Sequence, residues 1–408
     1  MREMKDSEIE WFGEIPAGWK KVRIGGLYMF RNTKVNDRDY PPLSVTMKGI
    51  LPQLETAAKS NAHDDRKLVC KGDFVINSRS DRRGSCGISS YYGSVSLINT
   101  VLAPRSDMNP VYYNWLFHTI EFSDEFYKWG HGIVDDLWTT GWQEMKKIFI
   151  PVPPLSEQNA IANYLDKKCA EIDKLTADIK TQIKVLENYK KSIITETVTK
   201  GLNSNVEMKD SGVEWVRKIP VAWKCIKIKY LTKQRNEKSI FQPQIDKYIG
   251  LENVKSYSNE FIETESEYEE SLQSICKKGD VLFNKLRPYL AKVLIVESDC
   301  FCTGEFLQFK VFEGDKKFLW YSLLNPSFIE VVNSSTYGAK MPRANSEFIC
   351  NMKIPFPPLY EQNAIANFLD DKCVEIDKII ADKNKQLATI EEYKKSLIYE
   401  YVTGKKSV

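Results

Sequence analysis

The sequence predicts an α+β fold: two β-rich mixed domains, each followed by a long coiled-coil helix. Three observations predict it. The 408 residues repeat at an offset of 204. Each half ends in a charged segment with an apolar residue every seven positions. Each half begins with short β-rich runs cut by Gly, Asn, Asp and Ser.

The repeat runs from end to end. Lys5-Asp6-Ser7 returns as Lys209-Asp210-Ser211, Trp11 as Trp215, Pro16 as Pro220 and Trp19 as Trp223. Pro153-Pro154-Leu155 returns as Pro357-Pro358-Leu359, and Tyr189-Lys190-Lys191-Ser192 as Tyr393-Lys394-Lys395-Ser396. Glu-Gln-Asn-Ala-Ile-Ala-Asn occupies 157–163 and again 361–367. These landmarks divide the chain into domains at 1–154 and 205–358 and helical segments at 155–204 and 359–408.

In the first domain, Phe74-Val75-Ile76 reads as a strand after Lys71-Gly72-Asp73. Its counterpart is Val281-Leu282-Phe283 after Lys278-Gly279-Asp280, followed by a run from Ala291 to Val296. Identity between halves is high at the domain edges and falls in their centres. A kept frame with diverged centres implies two similar scaffolds presenting different surfaces.

The first helical segment, Ser156 to about Thr199, contains no proline or glycine. Pro153-Pro154 stops any earlier helix, Ser156 is placed to cap, Glu157 suits the positive N-terminal dipole, and Gly201 follows the end. Leu165, Ile172, Ile179, Leu186 and Ile193 form a pairing seam, with Ile161, Leu175 and Tyr189 filling part of the neighbouring one. Leu369, Ile376, Ile390 and Leu397 do the same in the second copy, where Lys383 interrupts the seam. About 40 residues at about 1.5 Å each give about 60 Å of helix. The plain alternative is a helix folded back on its own domain; the heptad spacing favours helix on helix.

Composition narrows the function. The formal net charge of +3 makes any nucleic-acid contact a matter of local patches. No apolar run approaches the roughly 20 residues of a membrane span, and the charged N-terminus does not read as a signal peptide. The nine cysteines lack disulfide-scaffold or zinc spacing, and read as small buried groups of a cytoplasmic protein.

Catalytic motifs are missing. There is no glycine-rich dinucleotide or AdoMet loop and no P-loop. Asn109-Pro110-Val111-Tyr112 and Asn325-Pro326-Ser327-Phe328 resemble an amino-methyltransferase motif without its second proline, and read better as helix starts. His63, His118 and His131 have no repeat mates, and no metal spacing occurs. No catalytic residue and no metal ligand is assigned.

Basic, amide and aromatic side chains concentrate in the diverged centres. The first half offers Ser44, Thr46 and Lys48, then Arg79, Arg82 and Arg83 after the predicted strand, then Lys128, Trp129 and His131. The second offers Asn253 and Lys255, then Lys285, Arg287 and Lys292, then Lys340 and Arg343. Arginine pairs bidentately with guanine edges, asparagine with adenine edges, and lysine holds phosphate. Taken singly, each is equally an ordinary solvated surface group. Their clustering after matched strands points to DNA contact.

The motifs in order closely resemble the specificity (S) subunit, HsdS, of type I restriction–modification systems. They are Ile15-Pro16 to Trp19 and Ile219-Pro220 to Trp223, then Ile150-Pro151-Val152-Pro153-Pro154-Leu155-Ser156-Glu157-Gln158 and Ile354-Pro355-Phe356-Pro357-Pro358-Leu359-Tyr360-Glu361-Gln362. The resemblance spans essentially the whole chain. It implies two target-recognition domains related by a pseudo-twofold and separated by two antiparallel coiled-coil helices. Each domain would read one half of an asymmetric site in double-stranded DNA, the halves spaced by about one helical turn, ~10 bp. Two methyltransferase (M) subunits carrying AdoMet would dock on the chain and methylate adenine N6. Restriction (R) subunits using ATP and Mg would join through the M subunits. The chain itself would bind no cofactor. Lys383 would then snorkel or face an M-subunit helix. The competing readings are a self-contained methyltransferase or nuclease, and a coiled-coil protein that binds only other proteins.

Overall fold

Trp19 and Trp223 sit at equivalent places because each repeat closes its two ends around an indole. The Trp19 Nε1–H donates to Glu157 at 2.9 Å, and the Trp223 Nε1–H to Glu361 at 2.7 Å. The following glutamine holds the N-cap residue of another helix: Gln158 Oε1 accepts from the Asn109 N–H and Gln362 Oε1 from the Asp315 N–H, both at 2.9 Å. Its amide donates to the carbonyl of Pro153 or Pro357. The repeated Glu-Gln pair is therefore a clasp between the start of a long helix and the domain before it.

The computed structural model describes residues 2–53, 63–105, 107–132, 138–265, 268–338 and 340–408. It forms two compact units: Met1–Ile179 with Asn384–Val408, and Lys180–Lys383. Each unit thus takes part of both long helices, Leu155–Lys200 and Leu359–Val402. The first helix starts one residue earlier than expected. The N–H groups of Glu157 and Gln158 bond to the Pro154 carbonyl, so Ser156 lies inside the first turn and is not its cap.

In the first unit, strands Glu14–Pro16 and Met4–Asp6 pair antiparallel, and Lys20–Arg23 pairs with Phe149–Val152. An antiparallel sheet runs in the order Cys86–Ile88, Phe74–Asn77, Asn99–Pro104, Tyr28–Phe30. A smaller one runs Gly93–Ser96, Arg66–Val69, Lys34–Val35. Helices Pro110–Phe117 and Ile120–Lys128 cover the larger sheet with Tyr112, Tyr113, Phe117, Phe122 and Phe126, all fully buried. Leu397, Tyr401 and Val402 of the second long helix complete this core.

The second unit repeats the plan. Lys224–Lys227 pairs with Lys353–Phe356, and a sheet runs Thr232–Gln234, Phe306–Phe312, Val281–Asn284, Val293–Ile295. The last strand is shorter than the apolar run suggests, because Ala291 takes a left-handed backbone (φ +46°) that ends the turn before it. A second sheet runs Lys238–Phe241, Ser271–Cys276, Cys300–Cys302, Tyr248–Ile249, its last pair parallel. Ile194 and Val198 of the first long helix enter the core that the first of these sheets forms with Phe318, Leu319 and Phe328.

Within each unit the helix segments run antiparallel. In the first, Asp173 accepts from Lys394 at 2.5 Å, and the rings of Tyr164 and Tyr401 lie 4.5 Å apart. In the second, Lys190 reaches Asp377 and Lys383 donates to Gln182 at 2.6 Å. In both, partners advance along one helix as they retreat along the other. Lys383 keeps its seam position and snorkels to that amide.

The main seam is as expected: Leu165, Ile179, Leu369, Ile376 and Leu397 are buried, and Ile172, Leu186, Ile193 and Ile390 half-buried. Burial of such a side chain contributes about 1.5–3 kcal/mol. The neighbouring seam is different. Leu175 and Tyr189 are 50% and 52% exposed, so they point outward. Cys169, Thr176, Ile183 and Lys190 alternate with the main seam instead, mirrored by Cys373, Ile380, Leu387 and Lys394.

Candidate nucleic-acid interface

In both units the strand after Lys-Gly-Asp ends in an asparagine that turns the chain. Asn77 Oδ1 accepts from the Arg79 N–H at 3.1 Å, and Asn284 Oδ1 from the Leu286 N–H at 2.9 Å. Each turn then bridges to a loop that closes on itself. In the first unit Thr139 bridges both Arg79 and His131; in the second Arg343 bridges both Leu286 and Tyr337. The Thr140 N–H donates to the Ser78 carbonyl, and the Ala344 N–H to that of Lys285, both at 2.9 Å. The backbone device is one; its side chains differ.

Lys-Gly-Asp sets up this turn from behind. Asp73 is 1% exposed and takes a bidentate Arg31 at 2.6 and 3.0 Å; Asp280, 4% exposed, takes Arg235 at 2.7 and 3.2 Å. Each carboxylate also accepts from the backbone three residues earlier, and the glycines hold left-handed conformations. The Asp73 and Asp280 carboxylates raise the guanidinium pKa of Arg31 and Arg235. The arginines are a missed part of the scaffold. Their signal is in the sequence: Arg31-Asn32 recurs as Arg235-Asn236 at the offset of 204.

The first unit adds a hairpin, Leu43–Thr46 with Gly49–Pro52. A Cβ on Gly87 would meet Gly49 Cα at 2.8 Å, so the hairpin packs backbone to backbone on the sheet beside it. Met47 reaches Gly84, which brings exposed Lys48 next to the Arg79–Arg83 turn. Thr46 is spent on the hairpin, donating to Gly49 and accepting from Lys48; Ser44 is a half-buried strand residue opposite Leu51. Arg79 and Arg82 flank Asp81 at 3.0 and 3.7 Å, and Arg83 holds Asp124 at 2.6 Å. His131 joins this group through Thr139, as does exposed Trp138 through Ser80. Lys128 and Trp129 line a different cavity, of about 410 Å³, with Glu8, Glu10 and Trp11.

The second unit brings together Lys285, Arg287, Lys340 and Arg343. Burial lowers the Lys285 pKa, opposed by the attraction of Glu305. Exposed Tyr289, Tyr337 and Met341 lie on the same turn and loop. Asn253 does not belong to the group. It is buried, its carbonyl accepts from the Gly250 N–H, and its amide donates to Ile262 and Thr264, so it staples a loop. Lys255 pairs with Glu260 at 2.5 Å. Lys292 donates to the Leu251 carbonyl at 2.6 Å, and burial lowers its pKa.

Asn109 and Asn325 are N-caps, each followed by proline in the first turn of a helix. Among the described residues no group of three or more His, Cys, Asp or Glu is arranged to hold a metal, and no helix is long and apolar enough to cross a membrane.

A family model for the type I restriction modification DNA specificity domain matches residues 16–185 and again 220–392. The type I restriction enzyme MjaVIII specificity subunit of Methanocaldococcus jannaschii is 27% identical over 96% of this chain and 93% of its own length. The EcoDI specificity subunit of Escherichia coli is 21% identical over 96% of this chain and 89% of its own. A chain from a structure of the type I restriction–modification system, solved for its assembly and conformational transition, has a TM-score of 0.73 at 12% identity. That likeness covers 96% of this chain and 99% of the other, and shows the fold alone.

Proposed function

The chain belongs to the type I restriction modification DNA specificity family, and on that premise we propose that it reads an asymmetric, bipartite site in double-stranded DNA, one half-site per compact unit. It acts without catalysis of its own. Two M subunits dock on it, hold AdoMet and methylate adenine N6; R subunits using ATP and Mg join through them in the cytoplasm.

One observation carries this reading. The same backbone device, an asparagine turn bridged to a closed loop, presents Arg79, Arg82, Arg83 and His131 in one unit, with Lys48 beside them on the added hairpin, and Lys285, Arg287, Lys340 and Arg343 in the other. A shared scaffold with different donors suits two different half-sites. Lys128 and Trp129 belong to the reading as flanking backbone contacts; Ser44, Thr46, Asn253, Lys255 and Lys292 support the loops that carry the readers.

Footprinting of the chain with its M partner tests it. Two protected blocks separated by an unprotected spacer are expected. One contiguous block, or none, contradicts the bipartite reading. Methyl transfer from labelled AdoMet to DNA by the lone chain contradicts the division of labour and favours a self-contained methyltransferase.

A further inference from the structure

We propose that Arg343 reads a guanine in the half-site of the second unit and that Glu305 is the positioning residue that aims it. This deepens the DNA-specificity reading above and rests on it.

Arg343 is held at both ends of its backbone. It exchanges two hydrogen bonds with Tyr337, at 3.0 and 3.2 Å, and the neighbouring Ala344 N–H donates to Lys285. The preceding Pro342 carbonyl accepts from the Arg287 N–H at 2.7 Å. Only the side chain is left to choose its direction, and Glu305 chooses it: Arg343 Nη2 bonds to Glu305 Oε1. The side chain remains 46% exposed, so the other guanidinium N–H groups are available for a base edge. Guanine O6 and N7 are the acceptors that match a guanidinium bidentately. Other cations of the cluster are less suited. Arg287 has a left-handed backbone and an enclosed Nε with no acceptor, and Lys285 is half-buried. Lysine in any case contacts phosphate more than bases.

The first unit shows that the scaffold does not need this pair. Asn77 pairs with Asn99 as Asn284 pairs with Phe306, so Ile98 stands where the second unit has Glu305. The Ile98 carbonyl accepts from Ser78 as that of Glu305 accepts from Lys285. Thr139 stands where the second unit has Arg343. The same loop therefore closes with isoleucine and threonine. In the second unit Glu305 also leaves Oε2 enclosed without a donor, a cost that the isoleucine avoids. A half-exposed ion pair adds little stability by itself. Its retention is explained by what it aims.

The test is selection from randomised half-sites by the complex of the full chain with its M partner. Wild type is compared with Arg343→Lys, Arg343→Gln and Glu305→Ile. Wild type should require guanine at one position of one half-site. Arg343→Lys should reduce that preference by roughly 5- to 150-fold. Arg343→Gln should shift it toward adenine, and Glu305→Ile should weaken it at the same position only. A merely structural ion pair would alter thermal stability or overall affinity without moving a single base. Variants that bind with the wild-type preference at every position overturn the inference while leaving the specificity reading intact. A wild-type complex that selects no sequence overturns both.

Discussion

Lys190 occupies a buried seam position of the first long helix and donates to both carboxylate oxygens of Asp377, at 2.8 and 2.7 Å. Its repeat mate Lys394 makes the equivalent bond to Asp173, the mate of Asp377. The seam is thus polar at matching points in both units. Removing Asp377 leaves the buried ammonium with only the Tyr257 carbonyl, at 3.3 Å, whereas replacing Lys190 removes the need for the carboxylate. Asp377 is half-exposed, so Asp377→Ala should cost only about 1–2 kcal/mol, and Lys190→Leu should be neutral within about 1 kcal/mol or stabilising. Urea unfolding of the two variants checks this. A Lys190→Leu loss above about 3 kcal/mol would mean that the ion pair holds the fold rather than its register.

The Arg235–Asp280 pair is enclosed on both sides, with side-chain exposures of 12% and 5%. Asp280→Ala should therefore cost about 3 kcal/mol, the low end for a broken buried pair, since Glu237 still meets the Arg235 guanidinium while the turn is freed. Asp280→Ala combined with Arg235→Leu should recover part of that loss. A double variant as unstable as the single one would contradict a paired role.

Glu237 is held below its ordinary pKa by hydrogen bonds from Lys310 and Arg235, at 2.9 and 2.8 Å. A carboxylate with a depressed folded-state pKa binds its proton more weakly when folded. Its stabilising contribution is present above the unfolded value, about 4.3, and is lost as pH falls through the folded value. Glu237→Gln should therefore be less stable than wild type near neutrality, with the difference closing in acid. A difference that stays constant from neutral to strongly acid pH contradicts this.

Leu175 and Ile379 are repeat mates, 50% and 39% exposed on the long helices. Leu175→Ser and Ile379→Ser should leave the stability of the chain within about 0.5 kcal/mol. If the M subunits dock along the long helices, the same changes should weaken their association. Unchanged assembly in sedimentation would place the docking surface elsewhere.

The main seam, the paired domains and the turns after the matched strands were legible because each is a local or periodic pattern. The neighbouring seam was not. Leu175 and Tyr189 are apolar and suggested a core, while the true seam holds Thr176 and Lys190, tolerated because Asp377 on the other helix meets the ammonium. Asn253 looked like a base reader because its residue type fits adenine; only the fold shows its amide consumed by Ile262 and Thr264. The Arg31–Asp73 pair joins residues 42 positions apart, and no local rule connects them. Glu305 lay outside every basic cluster and acquires meaning only beside Arg343.

A hybrid chain gives the most direct measurement. Residues 205–358 are replaced by 1–154, so that both units carry the first set of loops, and the methylome of a host expressing the hybrid with its M partner is sequenced. A symmetric site made of two inverted copies of one wild-type half-site is expected. Methylation that keeps the wild-type asymmetric site would contradict the assignment of one half-site to each unit.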